Sequence, residues 1–340
     1  MDKINIAIVG VSGIVGDTLL KCLDESKLPI SNIFPISRSR SISEYITFQN
    51  KKHTICDIES FDFSKADIVF FVAGSEVSQK YAEKVTESGC FVIDNSSEFR
   101  YNEGIPLIIP EINGNILSKT KKNCIIANPN CSTIQMCVAL KPIYDSVGIN
   151  RINVATYQSV SGSGRKAISE LVNQTGALLN GKSIKPKVYP SQIAFNVIPH
   201  IDIFLENDYT KEEMKMSWET QKIFEDNNIL VNATAVRVPV LFGHSEVVNI
   251  ETKKYISIDE VKKLLKKTNG VKLIDKDNSY PTPISHAVGN NNVYVGRVRK
   301  DISHPKGINL WIVSDNIRKG AAWNSVQIAQ LFYRRFFNKS

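Results

Sequence analysis

The chain has 340 residues, 42% hydrophobic and 22% charged, with 18 glycines and 13 prolines. At roughly 150 residues per domain that length implies about two domains, with cores large enough to need no disulfide or metal staple. No apolar run approaches the roughly 18 residues of a membrane span, and the apolar start is broken by Gly10 too soon for a signal peptide, so a cytoplasmic protein with no membrane partner is expected.

The formal charge of +8 comes from 42 Lys+Arg against 34 Asp+Glu. The basic pairs are short and scattered and no nucleic-acid motif accompanies them, so no nucleic-acid partner is expected; the excess suits anionic small molecules instead. Six cysteines form no C-x-x-C pair and no H-E-x-x-H occurs, which leaves no foothold for a metal.

Along the chain, Ile4–Val9 predicts a strand, and Ile14–Glu25, apolar at helical spacing, a helix. Further strands are predicted at Asn32–Ile36, Asp67–Val72, Cys90–Asp94 and Cys124–Ala127, with a helix over Ser75–Ser88. Strands apolar on both faces that alternate with helices indicate a parallel sheet of βαβ units. After residue 131 the pattern changes. Ser132–Val147 reads as a helix, followed by longer strands at Ile152–Val160, Ala233–Val240, Glu246–Thr252, Val293–Arg299 and Ile308–Val313. Helical runs at Ser163–Leu179, Lys211–Asp226 and Ile258–Lys267 would cover one face of that sheet. A last helix, Gly320–Phe337, would return to the first domain. The expected fold is therefore α/β: a Rossmann-type domain over 1–131 plus 319–340, and an α+β domain over 132–318 with a large mixed sheet.

Three local patterns carry chemistry. Gly10-Val11-Ser12-Gly13-Ile14-Val15-Gly16 lies at the first strand–helix junction. Glycines there allow a tight turn and let backbone N–H groups approach a pyrophosphate at the positive helix end. At the end of the second strand, where an NAD enzyme usually carries an acid, the chain reads Ser37-Arg38-Ser39-Arg40-Ser41. Arginine and serine there suit a 2′-phosphate, which favours NADP. Asn128-Pro129-Asn130-Cys131-Ser132-Thr133 ends a strand, turns, and places a cysteine where a helix begins. Helix-start amides would stabilise its thiolate and could receive the oxygen of a tetrahedral adduct. The other five cysteines read as inert core thiols. A thiol nucleophile needs a proton manager; among five histidines His244, between two strands, and His286, in a loop, both stay open on chemistry alone.

Over essentially the whole chain these motifs resemble the bacterial branch of the aspartate-β-semialdehyde dehydrogenase family. The matching stretches are Gly10–Gly16, Asp94–Arg100, Pro129–Thr133, Tyr157–Gly164, Glu212–Lys215, Arg237–Glu246, Ser314–Asn316 and Lys319–Ser325. N-acetyl-γ-glutamyl-phosphate reductase, which typically has Pro-Gly-Cys-Tyr at its nucleophile, fits less well, as does an inactive nucleotide-binding paralogue.

The resemblance implies that Cys131 is the nucleophile that forms a thioester, His244 the acid/base, and Gln158 a substrate-orienting residue. It further implies that Arg237 grips the α-carboxylate of the substrate, Glu213 faces its ammonium group, and Arg100 and Lys215 bind phosphate. Cofactor contacts are implied for Gly10, Ser12, Gly13, Ile14, Val15, Arg40, Ser41, Ser161, Gly162 and Asn316. The implied reaction is NADPH-dependent conversion of L-aspartyl 4-phosphate to L-aspartate 4-semialdehyde and phosphate, by a homodimer. Two pairs of these residues carry a geometric condition. Arg237 and His244 are seven apart and would face opposite ways on one continuous strand, so the strand must break between them, with Pro239 and Gly243 the candidates. Glu213 and Lys215 are two apart, which on a helix puts them on different faces.

Overall fold

The computed structural model describes residues 2–38 and 44–337, and divides into two units, Met1–Pro129 with Ala321–Ser340, and Asn130–Gly320. In the first unit, β1 (Ile4–Val9) leads into α1 (Ile14–Glu25) and β2 (Ile30–Ser37). A hairpin of β3 (Tyr45–Phe48) and β4 (Lys51–Thr54) follows, then β5 (Cys56–Asp57), β6 (Ile68–Phe71), α2 (Ser75–Glu87), β7 (Phe91–Asp94), the short α3 (Pro110–Asn113) and β8 (Ile125–Ala127). Six of these strands form one parallel sheet in the order β5-β2-β1-β6-β7-β8. The parallel sheet expected from the doubly apolar strands is thus present: every residue of β6 and β7 is buried. The chain leaves β1 toward β2 and returns on the other side at β6, so the connections that follow β1 and β6 run to opposite sides of the sheet and leave a crevice at the switch point.

The second unit starts with α4 (Cys131–Val147) and β9 (Ile149–Gln158), then α5 (Arg165–Leu179), α6 (Lys211–Phe224), β10 (Leu230–Arg237) and β11 (His244–Thr252). It ends with α7 (Ile258–Lys267), β12 (Val271–Leu273), β13 (Val293–Lys300) and β14 (Gly307–Ser314). Its sheet has the order β10-β9-β11-β14-β13-β12, with β9–β10 and β12–β13 parallel and the other pairs antiparallel. This is the mixed sheet implied by the longer alternating segments. The terminal helix α8 (Trp323–Phe336) belongs to the first unit, where the Phe332 ring stacks on Phe91 at 3.8 Å. Asn324 at its start donates to the carbonyl of Ile108 at 3.0 Å and to Asn128 Oδ1 at 2.7 Å.

Candidate active site

The segment before α4 is a helix cap. Asn130 is extended (φ −61°, ψ 145°) and its Oδ1 accepts from the amides of Ser132 at 2.9 Å and Thr133 at 3.3 Å. Asparagine is a preferred residue for that geometry because its short side chain reaches the second and third amides. Those two amides, which the sequence offered to a tetrahedral oxyanion, are therefore committed to the cap. The cap is itself anchored: the Asn130 amide donates to Glu219 Oε2 at 2.6 Å, and its Nδ2 to Glu212 Oε1 at 2.9 Å. Cys131, half-buried, is the first residue of the helix so fixed. Burial pushes the Cys90 thiol up to about 12, and raises those of Cys56, Cys124 and Cys137 as well, so all four stay protonated and inert.

Gln158, buried at the end of β9, donates from Nε2 to Ser132 Oγ at 2.6 Å and to Glu212 Oε1 at 3.2 Å. Glu212 is thus the hub that ties Asn130 to Gln158, and its second oxygen accepts from Lys215 Nζ at 2.9 Å. Burial alone would raise the Glu212 carboxyl, but the Lys215 charge and hydrogen bonds from Lys215, Asn130 and Gln158 outweigh it and hold the pKa at about 2. Lys215 shows the same contest in reverse. Burial would lower its pKa, yet Glu212 and Asp202 raise it, so the ammonium stays charged.

Glu213, to which the family resemblance assigned the substrate ammonium group, lies on the other face of α6. Its Oε2 accepts from the Thr210 amide at 2.7 Å, completing a capping box, and its Oε1 from the Ala235 amide at 2.9 Å. Because α6 is regular from Lys211, residues three apart share a face, so it is Glu212 that accompanies Lys215. That is a correction, and its reason is the helical period.

Arg237 ends β10 directly opposite Gln158, and His244 begins β11 on the far side of β9. The chain breaks at residues 238–243, between the two strands, which meets the geometric condition. Arg237 Nη1 donates to the carbonyl of Ser159 at 2.7 Å, and its guanidinium lies 5.9 Å from the centre of the Tyr189 ring. His244 Nδ1 accepts from the Ser159 amide at 3.1 Å. A backbone N–H is always a donor, so the neutral ring carries its proton on Nε2. That nitrogen lies 3.5 Å from the point a Cβ on Gly162 would occupy, and Arg237 Nη1 lies 3.2 Å from the same point. The two side chains therefore converge over Gly162. Burial, then the Arg237 charge, push the His244 pKa down to about 3, so the ring is neutral at physiological pH. His286 is not part of this cluster; its Nδ1 is 2.6 Å from Ser285 Oγ in an exposed turn.

Asn316 Oδ1 accepts from Ser159 Oγ at 3.1 Å, Ser161 Oγ at 3.2 Å and the Gly243 amide at 2.9 Å. It clamps the 159–161 turn to the start of β11, which fixes His244. Sequence reasoning missed three members of this site. Asn130 carried a readable signal, the cap position before Ser132, and Glu212 carried another, the three-residue spacing to Lys215. Ser159 carried none, since it acts through its backbone.

In the first unit a cleft of about 370 Å³ opens at the switch point, lined by Gly10, Ser12, Gly13, Ser37, Arg38 and Ala73 among others. No side chain caps the start of α1, where Gly13 is the N-cap and Ile14 and Val15 open the helix. Gly10 has φ +95°, and a Cβ there would lie 2.8 Å from the Ala73 amide nitrogen, so only glycine lets the β1 and β6 loops meet. An uncapped helix start beside a glycine-bounded cleft fits a pyrophosphate. Arg40 and Ser41 lie outside the described residues. Arg100 is buried in this unit, and its Nη2 donates to the Asn95 carbonyl at 3.0 Å.

Residues 5–120 match the family model of the semialdehyde dehydrogenase NAD-binding domain, and residues 140–319 that of the semialdehyde dehydrogenase dimerisation domain. Aspartate-semialdehyde dehydrogenase of Shewanella sp. (strain DB6705) is 56% identical over 98% of this chain and 99% of its own length. The enzyme of that name from Legionella pneumophila is also 56% identical, over 99% of this chain and 97% of its own. The crystal structure of aspartate semialdehyde dehydrogenase II from Vibrio cholerae, complexed with ASA, matches with a TM-score of 0.97 at 51% identity, covering 99% of this chain and 100% of that one. A capped cysteine helix beside a glutamine, an arginine and a neutral histidine, in a fold matched end to end by these relatives, makes this chain a member of the aspartate-semialdehyde dehydrogenase family.

Proposed function

We propose that the protein catalyses the NADPH-dependent reductive dephosphorylation of L-aspartyl 4-phosphate to L-aspartate 4-semialdehyde, in the aspartate pathway to lysine, threonine, methionine and diaminopimelate. The observation that carries this reading is a continuous hydrogen-bonded chain from Asn130, beside Cys131 in sequence, through Glu212 to Gln158 and Lys215, with Arg237 paired to Gln158 in the sheet and His244 within electrostatic reach of Glu212 and Arg237. It offers a nucleophile, an anion at one point and cations at two others, which matches an amino acid carrying an acyl phosphate.

In this mechanism Cys131 Sγ attacks the acyl carbon, the carbon–oxygen bond to phosphate breaks, and a thioester remains. Arg237 holds the α-carboxylate with its guanidinium, and Glu212, ionised and oriented by Asn130 and Gln158, takes the α-ammonium group. Lys215 and Arg100 receive the phosphate. The nicotinamide, when bound, supplies the hydride that reduces the thioester carbon. Hydride addition leaves an oxyanion on the thiohemiacetal, which accepts a hydrogen bond from His244 Nε2–H; the carbonyl then re-forms as the carbon–sulfur bond breaks and Cys131 departs as the thiolate. The switch-point cleft, with Gly10, Ser12, Gly13 and Arg38, would hold the dinucleotide, and the family resemblance adds Ile14, Val15, Arg40, Ser41, Ser161, Gly162 and Asn316 as cofactor contacts. The basic segment supports NADP as the preferred form. Exposed Phe195, Val197, Ile203 and Phe204 support assembly as a homodimer through the second unit.

The test is phosphate-dependent reduction of NADP by the purified protein supplied with L-aspartate 4-semialdehyde, with NAD and N-acetyl-L-glutamate 5-semialdehyde as controls. Turnover with the aspartyl aldehyde and NADP is expected. Turnover only with the acetylated aldehyde, or none by protein that binds NADP, would overturn the reading.

A further inference from the structure

The buried ammonium of Lys215 is held by two carboxylates, and only one of them belongs to the hydrogen-bonded chain that reaches Asn130, the residue before Cys131. Lys215 Nζ lies 2.9 Å from Glu212 Oε2 and 2.7 Å from Asp202 Oδ2. The two acids differ in how firmly they are fixed. The Glu212 side chain is 8% exposed, and its other oxygen is engaged by Asn130 and Gln158. Asp202 sits in the connection between α5 and α6, 30% exposed, with no such second anchor inside the site. Its backbone has φ +70°, a left-handed conformation that aspartate tolerates better than most residues. Its Oδ1 accepts from the Ile203 amide at 2.9 Å, which turns Oδ2 toward Lys215.

Two carboxylates and one ammonium leave this cluster with a net charge of −1. A phosphate dianion that approached it intact would meet an ammonium already neutralised and a surplus negative charge. Phosphate and one of the carboxylates therefore compete for the same cation, and Asp202 is the one free to yield. We propose that Asp202 is a positioning residue that competes with phosphate for Lys215. It gives up the ammonium when phosphate binds, and by re-forming the ion pair it helps expel phosphate after the thioester forms. This inference rests on the assignment of Lys215 to phosphate made above.

The test uses the full-length enzyme in the aldehyde-oxidising direction, with inorganic phosphate varied at saturating NADP and aldehyde. Asp202→Asn keeps the shape and removes the charge. It is expected to lower the phosphate KM by about two- to fivefold, the range for a partly exposed ion pair, while the aldehyde KM stays constant. Inhibition of the biosynthetic direction by added phosphate should strengthen by the same factor, and Asp202→Glu should restore the wild-type values. Asp202→Ser, with the same expectation, serves if the asparagine variant folds poorly. Lys215→Met, run in parallel, should raise the phosphate KM by more than about tenfold. A raised phosphate KM in Lys215→Met with an unchanged or raised one in Asp202→Asn refutes the competition alone. An unchanged phosphate KM in Lys215→Met refutes the assignment of Lys215, and the inference with it.

Discussion

Gly320 approaches Cys131, the proposed nucleophile, so closely that its replacement by alanine is a direct probe of how precisely that cysteine must be held. A Cβ built on Gly320 would lie 2.7 Å from Cys131 Cβ and 3.2 Å from its Cα. Unstrained carbon atoms sit about 3.5–4.0 Å apart, so the two residues must separate by about 1 Å. Cys131 is anchored at the first turn of a capped helix whose next residues are buried, so the strain falls on the cysteine and on the 318–322 turn together. A displacement of about 1 Å in a reacting atom costs on the order of 10²-fold in rate. The packing strain should cost about 1–3 kcal/mol of stability, which lowers the melting temperature by several degrees without unfolding the chain. Three measurements on Gly320→Ala belong together: kcat for phosphate-dependent aldehyde oxidation, the rate of Cys131 alkylation followed by mass spectrometry, and a thermal melt. Gly176→Ala is the control, because nothing lies within 4 Å of a Cβ there and the site is inside α5. It should keep full activity and gain up to about 1 kcal/mol from helix propensity. A folded Gly320→Ala enzyme with kcat within about twofold of wild type would refute the argument.

The proposed role of Glu212 separates from that of Glu213 by KM. Glu212→Gln should raise the aldehyde KM by about ten- to a hundredfold, the value of a hydrogen bond to a charged group, and should also lower the melting temperature, because Lys215 loses its buried partner. Glu213→Ala should lower the melting temperature alone, leaving KM within about twofold while stranding the Thr210 and Ala235 amides at about 1–3 kcal/mol each. A thermal melt and a KM for each variant decide between them. Glu246, fully buried two residues beyond His244, has its carboxyl pushed well above the usual range by burial, with the Gln135 amide opposing. A raised acid pKa gives stability that is complete below the unfolded value near 4.3 and falls by about 1.4 kcal/mol per pH unit above it, until the folded pKa is reached. Glu246→Gln abolishes that loss, so its melting temperature relative to wild type should climb as the pH rises above about 5; a difference independent of pH would exclude the effect. For the proposed assembly through the second unit, Phe195→Asp combined with Ile203→Asp should shift sedimentation toward monomer, since both side chains are at least 60% exposed on one apolar stretch.

Where side-chain period or backbone chemistry speaks locally, the sequence was legible. The all-buried strands and their alternation with helices foretold the parallel sheet, and Ile4–Val9 and Ile14–Glu25 are β1 and α1 to the residue. The hairpin of β3 and β4 was missed for a definite reason. Its turn is made by Gln49 and Asn50, both at positive φ (48° and 61°), without the glycine that ordinarily announces such a turn. Contacts between distant segments left no trace at all: nothing near Gly320 hints that Cys131 lies against it.

The most instructive case is one where two lines of sequence reasoning disagreed. The family resemblance pointed to Glu213, while the helical period denied that Glu213 and Lys215 could share a face, and the period prevailed. The same logic reaches the oxyanion. Asparagine is a strong capping residue, so an Asn immediately before the helix already implied that the first free amides would be taken. With the Ser132 and Thr133 amides committed to Asn130, the negative charge that grows on the substrate oxygen needs another donor. His244 can supply it, because the Ser159 amide keeps the proton on Nε2 and burial, reinforced by the Arg237 charge, keeps the ring uncharged. A neutral donor loses nothing to repulsion beside that guanidinium, whereas an imidazolium would. The cap on the helix that Cys131 begins and the depressed pKa of the histidine are thus two halves of one electrostatic arrangement: the first commits the Ser132 and Thr133 amides elsewhere, and the second equips a side chain to supply a donor.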